Sequence, residues 1–299
     1  MRGKVYGALV LVQVFFGIHY FVTKLLLESI SPRAWAAIRI TCAALLLLAW
    51  ELGVRRGRRP SWRQLRSLSL FAVFGVILNQ ILFVEGLSRT TPSHSAIINS
   101  LIPVLTLSFA LLLRREQWTP RRLISILLSM SGVLILLRVE DLQFDEAWVV
   151  GDLLTLANAT SFSFFLVISK RYFMQHGALG STAWMMALGA VGIGLAASGP
   201  LAQLDVAVLD RRFWLLAAYA IIFATTLAYL MNSYALQHVE SSMVALFIYL
   251  QAPIATFLSV TFLHEPLTTR FLVAAAAIFA GVFFSVNAAP PPRVTTRSR

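Results

Sequence analysis

Charge is scarce in this sequence, and acid is scarcer still. Only 13% of the 299 residues are charged, with 13 Asp and Glu set against 25 Lys and Arg. A soluble domain carries about 25% charged residues and needs them to face water. With 58% hydrophobic residues and a mean hydropathy of +0.77, this chain has no such surface to offer. Lipid is the solvent that removes the need for one. Cysteine is nearly missing as well: Cys42 stands alone, which excludes an intramolecular disulfide and a cysteine metal cluster. His94, His176, His238 and His264 are dispersed over loops and helix ends, and neither a Gly-rich phosphate loop nor a hydrolytic nucleophile arrangement stands out. No metal, no cofactor and no enzyme activity are therefore expected.

What the sequence has in abundance is long apolar runs. A helix crosses the hydrocarbon core with about 20 residues. Ten segments qualify, at approximately 5–27, 34–53, 67–88, 94–113, 121–138, 150–170, 181–200, 213–236, 242–263 and 270–288. The connectors are short and carry turn chemistry, as in Ser31-Pro32, Thr91-Pro92-Ser93, Thr119-Pro120 and Glu265-Pro266. The first run follows Arg2 and Lys4, lacks a small-residue cleavage site and is expected to stay as the first helix.

The net charge of +12 would suggest nucleic acid if the basic residues formed a stripe on a soluble surface. Instead they cluster between spans: Arg55, Arg56, Arg58, Arg59, Arg63 and Arg66 in one connector, and Arg114, Arg115, Arg121 and Arg122 in another. Arg293, Arg297 and Arg299 close the chain, while Glu28, Glu140, Asp141, Asp145, Glu146, Asp205, Asp210 and Glu265 fall on the opposite side. Basic loops resist translocation, so both termini are expected in the cytoplasm of a bacterial inner membrane, with lipid and no nucleic acid as partner. Residues 289–299, with Pro290-Pro291-Pro292, read as a disordered basic tail.

The chain also repeats itself. Gly86-Leu87 aligns with Ala235-Leu236, Pro103-Val104 with Pro253-Ile254, Glu116 with Glu265, and Gly132-Val133 with Gly281-Val282, at a nearly constant offset. Residues 1–140 and 150–288 would then be two five-helix units. An odd number of spans per unit inserts the second upside-down relative to the first. The expected fold class is therefore all-α integral membrane, with ten helices as two inverted repeats and a site near the midplane.

At these residues the sequence resembles the EamA family of the drug/metabolite transporter superfamily. The resemblance runs over Phe16-Gly17, Lys24, Ser31-Pro32, Arg39, Gly86-Leu87, Leu101-Ile102-Pro103-Val104 and Arg115-Glu116 in the first half. In the second half it runs over Gly151-Asp152-Leu153-Leu154, Lys170-Arg171, Gln251-Ala252-Pro253 and His264-Glu265-Pro266-Leu267-Thr268. It covers roughly residues 5–288 and departs at Ser163-Phe164-Phe165, where family members often carry tryptophan. The resemblance implies alternating access to a central cavity and export of small metabolites, amino acids and related compounds prominent among them.

Polar groups within hydrocarbon are costly unless satisfied, so they face the bundle interior or a wet cavity. Gln13, Gly17, Tyr20 and Lys24 recur at helical spacing on one face of the first span. Gln13 and Tyr20, with Asn79, Asn99, Asn158, Thr225, Tyr229, Asn232 and Tyr249, are the candidate substrate-binding residues, and Ser161 lies beside Asn158. Lys24, Arg39 and Glu85 lie towards the outer ends of their spans and are candidates for an ion-pair gate. Pro103 and Pro253 sit mid-span at equivalent places and are candidate hinges. His19 is the central titratable residue, expected to pack as a neutral hydrogen-bonding group. The expectation is a secondary transporter or facilitator, monomeric or homodimeric, that equilibrates its metabolite. An importer and a non-transporting sensor or assembly protein are the alternatives.

Overall fold

The computed structural model of the chain describes residues 2–54, 59–115 and 147–288, with scattered helical positions between 120 and 135. Among the described residues the chain is helical throughout, without a strand. Eight helices are long and apolar enough to span a membrane. They are α1 (Arg2–Leu26), α2 (Pro32–Val54), α3 (Trp62–Arg89), α4 (Pro92–Leu112), α5 (Ala147–His176), α6 (Ala178–Ala196), α7 (Arg211–His238) and α8 (Ser241–Phe262). A ninth, α9 (Thr269–Ala288), has a shorter apolar stretch, Thr269–Gly281. The protein is a multi-pass membrane protein. Most of the expected span at 121–138, and the tail 289–299, lie outside the described residues.

Local chemistry sets the helix ends. Pro32 and Pro92 open α2 and α4 at positions where the missing N–H would have found no acceptor. Ser61 and Gln64 form a capping box at α3, Ser61 N donating to Gln64 Oε1 at 2.8 Å. Asp210 caps α7, accepting from Phe213 N at 2.7 Å. Gly177 has φ 88°, which lets the chain reverse tightly between α5 and α6. Large apolar side chains point outward where lipid would lie: Leu195 is 74% exposed and Phe257 66%.

The helices pack in a pattern that survives exchanging the two halves. α1 lies against α7 and α8, and correspondingly α5 lies against α3 and α4. α2 meets α6 and α4 meets α8, each helix thereby facing its own counterpart. Small residues permit the close approaches. A Cβ at Gly17 would stand 2.7 Å from Ile254 Cβ, and one at Gly86 would stand 2.7 Å from Thr155 Oγ1.

The repetition extends to irregularities inside the helices. α3 divides into Trp62–Ala72 (11 residues), a π-helical turn Val73–Leu78 (6 residues) and Asn79–Arg89 (11 residues). α7 divides identically, into Arg211–Ile221 (11), Ile222–Leu227 (6) and Ala228–His238 (11). α4 is interrupted at Ser100 and Leu101, and α8 by a 3₁₀ turn at Phe247–Leu250. Arg114 and His264, just past α4 and α8, both adopt φ 54°.

Those interruptions alter the expected role of the prolines. Pro103 is the second residue of Ile102–Leu112, and Pro253 the third of Gln251–Phe262. Each sits in the first turn after a break already present, where backbone donors lack intrahelical acceptors anyway. The break precedes the proline in both helices, so neither ring kinks a continuous helix.

Candidate functional site

A cavity lies where α1, α2, α3, α4, α5, α7 and α8 converge. Seven of the nine expected binding residues line it: Gln13, Tyr20, Asn79, Asn99, Asn158, Tyr229 and Asn232. His19, Arg39, Gln80 and Gln251 add four more polar side chains, and Phe16, Phe83 and Phe162 contribute aromatic walls. No Asp or Glu appears among its described lining residues.

Two hydrogen-bonded groups build the walls. In the first, Tyr20 OH donates to Gln251 Oε1 at 3.2 Å, and Gln251 Nε2 donates to Gln13 Oε1, tying α1 to α8. Gly17, on the same face of α1, brings the two helices close enough for this contact. In the second, Gln80 Nε2 donates to Asn79 Oδ1 at 2.7 Å and to Tyr229 OH, while Arg39 donates to Gln80 Oε1. Gln80 and Tyr229 are 149 residues apart, the repeat offset itself, so matching positions of the two halves bond to each other.

The π-turn of α3 is part of this second group. A π-turn widens the helix, and side chains from the other half take up its carbonyls. Tyr229 OH donates to Gly75 O at 3.0 Å, Ser161 Oγ to Phe74 O at 2.8 Å, and Asn158 Nδ2 to Asn79 O at 2.7 Å. Thus Ser161 serves the backbone, whereas Asn158 both serves it and lines the cavity.

Two expected binding residues are placed elsewhere, each for a reason in the backbone. Thr225 is fully buried, and its hydroxyl donates to Ala220 O five residues back at 2.8 Å. The π-turn adds a residue to the helical repeat, so the wall residue preceding Tyr229 is Ala224 rather than Thr225. Tyr249 lies within the 3₁₀ turn, where side chains repeat every third residue. Ile248 and Gln251 therefore face the cavity, and Tyr249 turns to Phe279 of α9, ring centroids 6.2 Å apart.

The expected gate separates into three unrelated contacts. Glu85 pairs with Arg33 at 2.8 Å and Arg89 at 2.6 Å. Lys24 donates to the Leu87 and Thr90 carbonyls at 2.9 and 2.6 Å, capping the end of α3. Arg39 joins neither of them. It is 2% exposed in the cavity wall, donating to His19 and Gln80 with its guanidinium 5.9 Å from the Trp35 ring. His19 stacks on Phe83, centroids 5.8 Å apart, with the Thr23 hydroxyl 3.2 Å from Nδ1.

Gln80 and Gln251 are site residues that the sequence reading passed over, though both are amides at mid-span. Arg39 stands in the cavity wall rather than in an outer ion-pair gate, because His19 and Gln80 at its own depth take its Nη donors.

The model of the EamA-like transporter family matches residues 3–138 and again 149–287. The chain is similar along its length to curated proteins named as transporters. It is 23% identical to the uncharacterized transporter YyaM of Bacillus subtilis over 99% of this chain and 98% of that protein. It is 24% identical to the uncharacterized inner membrane transporter YedA of Escherichia coli K12, over 94% and 90%. A WAT1-related protein of Arabidopsis thaliana is 23% identical over 92% and 83%. A solved crystal structure superposes over 96% of this chain and 99% of its own, with a TM-score of 0.67 and 17% identity, a likeness of fold.

Proposed function

The chain belongs to the EamA-like transporter family, and from that premise we propose that it is a secondary transporter or facilitator exporting a small polar or amphipathic metabolite, an amino acid or related compound, across a bacterial inner membrane. The observation that carries this reading is the cavity itself. It holds a concentration of buried amides and phenols that no soluble or lipid-facing role requires, and both halves of the chain supply its walls.

The same reading makes residues 1–140 and 150–288 two inverted five-helix units whose relative movement opens the cavity to each side in turn. It is supported by the identical partition of α3 and α7 and by packing that survives exchange of the halves. Movement follows the metabolite's own gradient, since the described cavity wall carries no carboxylate to load and discharge a proton. His19 acts there as a neutral acceptor for Arg39.

Purified full-length protein in proteoliposomes tests this. Radiolabelled amino acids should equilibrate across the vesicle membrane without a pH gradient, and His19→Gln should keep most of that flux, because an amide oxygen can still accept from Arg39. Accumulation above equilibrium driven by an imposed pH gradient would overturn the facilitator reading. Absence of protein-dependent flux for every solute tested counts against transport altogether.

A further inference from the structure

Arg39 is a cation deep in a helix bundle. It lies seven residues beyond Pro32, about 10 Å along the axis of α2 at 1.5 Å per residue. Among the described residues its side chain is bonded only to neutral groups, Nη1 to His19 and Nη2 to Gln80, and it faces the Trp35 ring. Its third nitrogen, Nε, is buried without a hydrogen-bond partner among the described residues. Among the described residues, the acids towards the outer end lie elsewhere: Glu85 pairs with Arg33 and Arg89, Asp152 with Thr90 and His94, and Glu28 and Glu265 lie near Lys24.

A buried charge without an opposite charge is expensive, and an arginine fork matches a carboxylate in shape as well as sign. We propose that the counter-charge arrives with the substrate: Arg39, oriented by His19 and Gln80, binds a carboxylate of the transported molecule. This rests on the transporter reading and names the chemical class its cavity takes. A single cation balances a single carboxylate. The walls formed by Phe16, Phe83 and Phe162 suit an apolar body. Asn99 and Asn232 line the same cavity, and the Oδ1 of each is buried without a hydrogen-bond partner among the described residues, an acceptor that calls for a donor on the ligand. A monocarboxylate bearing a separate N–H group, such as an α-amino acid with an apolar side chain, fits all three features.

Thermal unfolding of the purified full-length protein, followed by tryptophan fluorescence, tests the assignment. The probes are isosteric pairs that differ in the carboxylate: L-leucine against L-leucinamide, and phenylacetate against phenylacetamide. At saturating concentration the acid of at least one pair should raise the unfolding temperature by about 2 °C or more. Its amide should need at least tenfold more for the same shift. Arg39→Gln should erase the discrimination, and Arg39→Lys should keep part of it. Gln80→Glu keeps the arginine but seats a carboxylate beside it. That variant should unfold at a higher temperature without ligand and lose the response to acids, and it reads the same contact if Arg39→Gln does not fold. Acids and amides stabilising equally, a full acid response in Gln80→Glu, or no response to these probes and the twenty amino acids would each overturn the proposal. Flux separates the two conclusions. Acid-specific stabilisation without flux upholds the carboxylate site and removes the transporter reading, whereas flux of neutral solutes with no preference for acids does the reverse.

Discussion

Tyr229 illustrates how much one side chain does here. Its hydroxyl donates to Gly75 O and accepts from Gln80 Nε2, so it closes the widened turn of α3 while forming a cavity wall. Tyr229→Phe removes both of these hydrogen bonds, a cost of about 1–3 kcal/mol. The expected result is a lower unfolding temperature with flux reduced in parallel, and wild-type values for both would remove the residue from the site. Gly17 is the complementary case, important for what it lacks. A methyl there meets Ile254 Cβ at 2.7 Å and Gln251 O at 3.3 Å. A β-branched Cβ cannot rotate aside, so Gly17→Ala must separate α1 from α8 and cost about 1–3 kcal/mol. Gly17→Ala should cost less in an Ile254→Gly background, which lacks that Cβ, than in the wild type, measured by thermal unfolding. If it costs as much in both backgrounds, the contact is not the cause.

At the scale of elements, irregular turns aim the side chains. The extra residue in Val73–Leu78 sets the rotation of Asn79 and Gln80 relative to the first half of α3. Val73 is 39% exposed and lines no part of the cavity. Deleting it should convert the turn to ordinary α-helix and withdraw the loosened carbonyls that Tyr229 and Ser161 hold. The protein should still insert, but transport should fall below detection, whereas Val73→Ala should transport normally. Equal flux in both would show that the π-turn does not aim the site. The prolines lead to a milder expectation. Because Pro103 and Pro253 stand in first turns, replacing either with alanine restores no lost bond across the break and should change stability by less than about 1 kcal/mol. Thermal unfolding of Pro103→Ala and Pro253→Ala checks this, and a large change would return the hinge to the proline itself.

For the whole molecule, the asymmetry of basic residues leads to the expectation that both termini and the connectors near Arg58 and Arg115 face the cytoplasm. In a Cys42→Ala background, a cysteine at Ser61 or Thr119 should resist an impermeant thiol reagent added to intact cells. Labelling from outside at either position would reverse the orientation.

Hydropathy, the scarcity of acids and the doubled motif at matching spacing determined the membrane class, the helical architecture and the family, because those depend on composition and order along the chain. Seven cavity residues were legible for the same reason: an amide or phenol in the middle of an apolar span has few places to go but inward. The register was not. A π-turn exchanged Thr225 for Ala224, a 3₁₀ turn exchanged Tyr249 for Ile248 and Gln251, and Arg39 left the rim for the cavity wall. Uniform helical spacing assigns faces correctly only while the helix stays uniform. Where the turns widen or tighten depends on which neighbour can take the loosened carbonyls, and those neighbours, Asn158, Ser161 and Tyr229, lie in the other half of the chain.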